Sequence, residues 1–126
     1  MADTIDTAIS EVKPSIGYNV SVAKIKVIEE LRLVDFRFNK TENNVSKLIS
    51  FLFIQSVTLE NPETYVYTQV ICDFIKNCGY DGVIYSSCQN TSGANYAIFN
   101  YEKCKAISSD VYTVDSVVVN FSKRRI

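Results

Sequence analysis

Histidine is absent from the 126-residue chain. Ser–His and Cys–His nucleophile pairs, imidazole bases and histidine metal sites are therefore excluded together. Chemistry here must come from carboxylates, hydroxyls, thiols, lysines or arginines. Two places offer such groups in a useful setting. Glu11 lies off the apolar stripe of the first helical run, where its carboxylate points toward a rim or a cleft. Residues 86–95, Ser-Ser-Cys-Gln-Asn-Thr-Ser-Gly-Ala-Asn, make a small-polar loop between two short apolar strands, an edge suited to binding a ligand. Cys72, Cys78, Cys88 and Cys104 show no CxxC spacing, which argues against a zinc ribbon or a thioredoxin motif, and no metal is expected. They are expected as reduced thiols packed like small apolar side chains.

The elements that must carry these groups can be read from periodicity. Ile5, Ala8, Ile9 and Val12 recur at helical spacing before Pro14, predicting a helix over residues 3–13 with Asp3, Thr4 or Asp6 as its cap. Residues 18–27 alternate as a strand whose parity switches near Ala23, which suggests a bulge or a change of burial. Glu29-Glu30 marks a turn, and 31–36 reads as a second strand. Val45, Leu48, Ile49, Leu52 and Phe53 form a helical stripe capped by Thr41, Asn43 or Asn44. A loop is expected over 58–64, then a helix marked by Val66, Val70, Ile71, Phe74 and Ile75 and stopped at Gly79. Strands follow at 83–85, 96–99, 105–108 and 111–121. Helices and strands mix without regular alternation, which argues an α+β fold rather than a doubly wound sheet.

The composition is that of one folded domain spanning 1–126, with 47% hydrophobic and 21% charged residues. A net charge of −1 gives no electrostatic case for nucleic acid or an anionic membrane. No apolar run reaches the ~18–20 residues of a membrane span. The opening residues lack a signal peptide's basic start and apolar run, so a cytoplasmic location is expected. Dinucleotide and P-loop fingerprints are missing.

Two blocks of residues go further. The first is Thr7-Ala8-Ile9-Ser10-Glu11-Val12, followed by Val20-Ser21-Val22-Ala23-Lys24 and Leu31-Arg32-Leu33-Val34-Asp35. The second opens at Tyr67-Thr68-Gln69 and runs through Gly79-Tyr80-Asp81-Gly82-Val83-Ile84-Tyr85-Ser86-Ser87 to Gly93-Ala94-Asn95-Tyr96-Ala97-Ile98-Phe99. In order and spacing they resemble the RES domain family, the toxin half of RES–Xre toxin–antitoxin pairs. The resemblance implies a mixed sheet with flanking helices, related to ADP-ribosyltransferase toxins. It implies an NAD⁺-degrading activity with NAD⁺ as substrate and no bound cofactor, and an Xre-type antitoxin as partner. The family's pattern includes an upstream arginine and a tyrosine that would fall just ahead of Met1. The chain therefore resembles a RES domain lacking its N-terminal portion, and is expected to be weakly active or inactive alone.

On this resemblance Glu11 matches the catalytic glutamate. Breaking the nicotinamide–ribose bond develops positive charge on the sugar, which a fixed carboxylate stabilises without any histidine. Ser87 matches the first serine of the family's YxSS turn and would bond a ribose oxygen or a phosphate. Gln69 and Asn95 match polar positions flanking the cleft. Cys88 replaces the second serine and is not expected to be a nucleophile. Acceptors left open are water, phosphate and protein, the last making the chain an ADP-ribosyltransferase. A different class of function also stays open: an inactive remnant that binds antitoxin without touching NAD⁺.

Overall fold

A computed structural model describes residues 1–37, 44–58, 62–90 and 92–125. In chain order the elements are α1 (Ile5–Glu11), β1 (Asn19–Val27), β2 (Leu33–Asp35), α2 (Asn44–Thr58), α3 (Pro62–Asn77), β3 (Gly82–Ser86), β4 (Ala94–Ile98), a 3₁₀ turn (Tyr101–Lys103) and β5 (Cys104–Thr113). The fold is α+β. One sheet has the order β2-β3-β4, and a separate ribbon pairs β1 with β5. In the three-stranded sheet β2 and β3 are parallel, while β3 and β4 are antiparallel, so the sheet is mixed. The parallel pair needs a long crossover, which α2 and α3 supply.

The core forms where the helix pair covers one face of this sheet. Phe36, Phe53, Ile75 and Val83 are buried there, with Ile49, Ile71 and Tyr85 packed around them. Phe53 stacks between Phe36 and Tyr85, at ring-centroid distances of 6.0 and 5.2 Å. Each such ring withdrawn from water contributes roughly 1.5–3 kcal/mol. Ser50 is buried among them because its hydroxyl donates to the carbonyl of Phe36. The predicted stripes turn out to be wider than the buried faces. Ile49 and Phe53 of α2 and Ile71 and Ile75 of α3 face inward, while Val45, Leu48, Val66, Val70 and Phe74 are exposed.

Local chemistry sets most boundaries. Thr4 caps α1, its side-chain oxygen accepting from the Thr7 amide at 3.1 Å. Lys13 then takes a left-handed conformation (φ 48°) ahead of Pro14, which ends the helix earlier than the residue 13 that periodicity suggested. Thr41 and Asn43 lie outside the described residues, and α2 begins at Asn44. Pro62 opens α3 instead of sitting in a loop, because a helix's first turn needs no proline N–H. Gly79 adopts φ 90° just past α3, the conformation that stops helices.

The ribbon differs more from expectation. Its register shifts between Lys24 and Ile25, close to the parity switch at Ala23. The two expected C-terminal strands are one strand, β5, that ends at Thr113 rather than continuing to 121. Its ladder partner runs out there: Asn19 pairs with Thr113, and Val114 makes the last exchanges with Gly17 and Tyr18. Beyond it Val118 and Phe121 are exposed, since β-branched and aromatic residues do not form a strand without a neighbour to pack against.

Candidate functional site

The β3–β4 connection is built from its own backbone. The Ser87 amide donates to the Gly93 carbonyl at 3.0 Å, and the Gly93 amide to the Asn90 carbonyl at 2.9 Å. These bonds draw Gly93 back onto Ser87 and Asn90 at the end of the sheet, and Ser87 is only 4% exposed. The first residues of the chain run along the same end. The Asp3 amide donates to the Ala94 carbonyl at 3.1 Å, the Tyr96 amide to the Met1 carbonyl at 2.8 Å, and Ala2 bridges Asn95. Helix α1 thus starts beside β4 and reaches across the loop.

The result is a contact between groups 76 residues apart: the Ser87 hydroxyl donates to Glu11 Oε1. Glu11 is the last residue of α1 and is half-buried. A compact polar cluster supports the pair. Thr7, one turn earlier on α1, has no accessible surface. Its hydroxyl lies 2.9 Å from Thr4 Oγ1 and accepts from Asn90 Nδ2 at 3.1 Å. Asn90 also donates its backbone N–H to Ser87 Oγ at 3.1 Å, and its Oδ1 accepts from Ser92 at 3.1 Å.

Glu11 shapes the titration of its neighbours. Burial pushes the Tyr85 phenol above its ordinary value, and the Glu11 carboxylate adds to the shift. Burial likewise raises the Cys88 thiol, again reinforced by Glu11. Cys88 is thus kept as a thiol beside the site, unsuited to nucleophilic attack. Its sulfur lies 3.5 Å from Gln89 Nε2. Cys78 is exposed, contrary to the expectation of a packed thiol, whereas Cys72, Cys88 and Cys104 are half-buried and all four are free.

The predicted residues therefore fall into three positions. Glu11 and Ser87 touch. Asn95 lies in the neighbouring strand, buried, paired with Tyr85 on one side and Ala2 on the other, so it is a strand residue and not a turn residue. Gln69 is in the middle of α3 and exposed, with no hydrogen bond to the other three. Tyr85 is a core residue, stacked on Phe53. Gly93 serves space and not a special dihedral, since a Cβ there would sit 2.1 Å from Thr7 Oγ1. Sequence reasoning assigned no role to Thr7 and Asn90. The i, i+4 spacing of Thr7 and Glu11, which puts both on one helix face, was the available signal for the first; Asn90 carried none beyond its place in the polar loop.

A concave feature lies at the other end of the sheet. Tyr80, Asp81, Phe99 and Tyr101 line a shallow groove of about 390 Å³. Asp81 closes that end. It accepts from the Arg32 amide at 2.8 Å and pairs with Lys103 at 3.2 Å, and these contacts hold its carboxyl below the usual carboxylate range. Glu11 and Ser87 lie at the opposite strand ends, so the groove is separate from their site. Among the described residues no group of three or more acidic or cysteine side chains is arranged to hold a metal ion, and no helix is long and apolar enough to cross a membrane.

The family model described as RES domain matches residues 1–119, and the chain belongs to that family. It is a toxin-like domain. No curated protein and no solved structure matches the chain.

Proposed function

We propose that the chain is an NAD⁺-degrading toxin domain of a toxin–antitoxin pair, acting in the cytoplasm on the nicotinamide–ribose bond. The observation that carries this is the meeting of half-buried Glu11 with buried Ser87 beside a polar cluster centred on Thr7. As the bond breaks, its electron pair leaves on nicotinamide and the sugar becomes electron-poor. The Glu11 carboxylate stabilises that charge. Water or phosphate then adds to the same carbon and releases its proton to solvent. Ser87 exchanges its bond to Glu11 for one to a ribose oxygen or a phosphate. By the family resemblance Asn95 and Gln69 are proposed to add polar contacts to the substrate. Family membership supports the chemistry, and the absence of histidine is no obstacle because nicotinamide leaves without a general acid.

A partner is part of the proposal. Val66, Val70 and Phe74 leave an apolar row exposed on α3, at 53%, 62% and 69%. It suits docking of an Xre-type antitoxin, and it equally favours a second reading in which the domain only binds that partner. NAD⁺ consumption by the purified chain, with and without antitoxin, separates the two. Glu11→Gln is expected to lower turnover ~10²–10³-fold, the scale of a lost electrostatic contact, with an unchanged circular-dichroism spectrum. Turnover retained by that variant removes Glu11 from the site. An inert wild-type chain that still captures antitoxin establishes the binding module instead.

A further inference from the structure

Glu11 and Ser87 come from distant parts of the chain, and something must hold one against the other. The backbone pairing of residues 1–3 brings α1 to the sheet, and Thr7 packs it on the loop. Thr7 faces the loop on the same helix face as Glu11, and it is in contact with the Gly93 backbone so closely that no Cβ fits between them. Across this contact runs the bond from Asn90 Nδ2 to Thr7 Oγ1 at 3.1 Å.

The other end of Asn90 acts on Ser87. Its backbone N–H donates to Ser87 Oγ at 3.1 Å and occupies one lone pair of that oxygen. A serine hydroxyl has a single proton. With its oxygen held by Asn90, that proton is directed at Glu11 Oε1. One residue therefore touches both halves of the site, by its side chain on the helix and by its backbone on the loop. Ser92 fixes the amide orientation by donating to Asn90 Oδ1 at 3.1 Å, which leaves the nitrogen turned toward Thr7.

We infer that Asn90 is a positioning residue, which through Thr7 holds α1 on the serine loop and aims the Ser87 hydroxyl at Glu11. The inference rests on Glu11 and Ser87 being the reactive pair. Sub-ångström placement matters in such sites, where a shift of about 1 Å costs up to ~10²-fold in rate. Breaking the Asn90–Thr7 bond leaves both reactive groups in the chain and loosens only their alignment.

The experiment compares Thr7→Val, Asn90→Ala and the double variant with Thr7→Ser, which keeps the hydroxyl. In NAD⁺ turnover each of the first two is expected to lower kcat about tenfold, worth ~1.4 kcal/mol, with KM changed less than about twofold. The double variant is expected to lose much less than the product of the two single losses, because both remove the Asn90–Thr7 bond. Thr7→Ser is expected to retain turnover near the wild-type rate. A second readout needs no activity: by ¹⁵N NMR the Asn90 side-chain amide protons should exchange slowly in the wild type and in Thr7→Ser, and rapidly in Thr7→Val. Additive losses, an effect on KM alone, or Asn90 amide protons indifferent to Thr7→Val would overturn the inference. If the wild type consumes no NAD⁺, the proposed function fails while the amide exchange still decides the role of Asn90. Should Asn90→Ala fail to fold, the Thr7→Val and Thr7→Ser pair decides alone.

Discussion

Replacing Gly93 by alanine tests the docking of α1 most directly. The new Cβ would lie 2.1 Å from Thr7 Oγ1, 2.8 Å from Thr7 Cγ2 and 3.0 Å from Thr7 Cβ. Ordinary contact begins at 3.4 Å, so α1 must retreat from the loop by roughly 1.3 Å. Thr7 cannot swing aside, because it is fully buried and β-branched and its oxygen is bonded on both sides. The helix moves as a unit, and Glu11 at its end moves with it. A hydrogen bond stretched by about 1 Å is lost, so the Ser87–Glu11 contact opens. Overpacking of this kind costs ~1–3 kcal/mol, which for a chain of this size lowers Tm by roughly 4–12 °C. Turnover of NAD⁺ should fall ~10–100-fold. Differential scanning calorimetry and a nicotinamide-release assay measure the two effects. Adding Thr7→Ala removes the two closest atoms, and is expected to recover most of the Tm without recovering turnover. A Gly93→Ala variant with wild-type Tm and rate would show that α1 does not sit on the loop as described.

Two further outcomes concern the surroundings of the site. The Asp81 carboxyl is held below its usual range by the Arg32 amide and Lys103, so its contribution to stability is complete above the unfolded carboxylate pKa of ~3.9 and disappears as pH falls through the lower folded value. Asp81→Asn should therefore be less stable than wild type at neutral pH and lose less stability between about pH 4 and pH 2, as followed by urea titrations across that range; an identical acid profile would refute the role. Among the thiols, exposed Cys78 is expected to react first with iodoacetamide at pH 8, while Cys72 and Cys88, whose thiols are raised by burial, lag behind. Peptide mass mapping over time gives the order, and early labelling of Cys72 would contradict it.

What local pattern could reveal, it revealed well. A missing residue type is visible without any structure, so the exclusion of imidazole chemistry came from composition alone. Glu11 off the stripe of the opening helix, Gly79 at the end of α3 and the irregularity in β1 all follow from spacing over a few positions. The motif order from Thr7 to Phe99 carried the family, since that order survives being read as a line of letters. The remainder depended on which surfaces meet. Periodicity marks apolar faces but not how many neighbours they have, so Val66, Val70 and Phe74 read as core and are exposed. A run of valines predicts a strand, yet β5 stops where its partner β1 stops. Gly93 looks like a turn glycine, and only the approach of Thr7 from the far end of the chain shows that it is needed for space. The contact of Glu11 with Ser87 through the Thr7–Asn90 bond is of the same kind. Each partner's local sequence is compatible with many positions, and the closure of the chain across the sheet end selects the one in which these polar groups meet and bond one another.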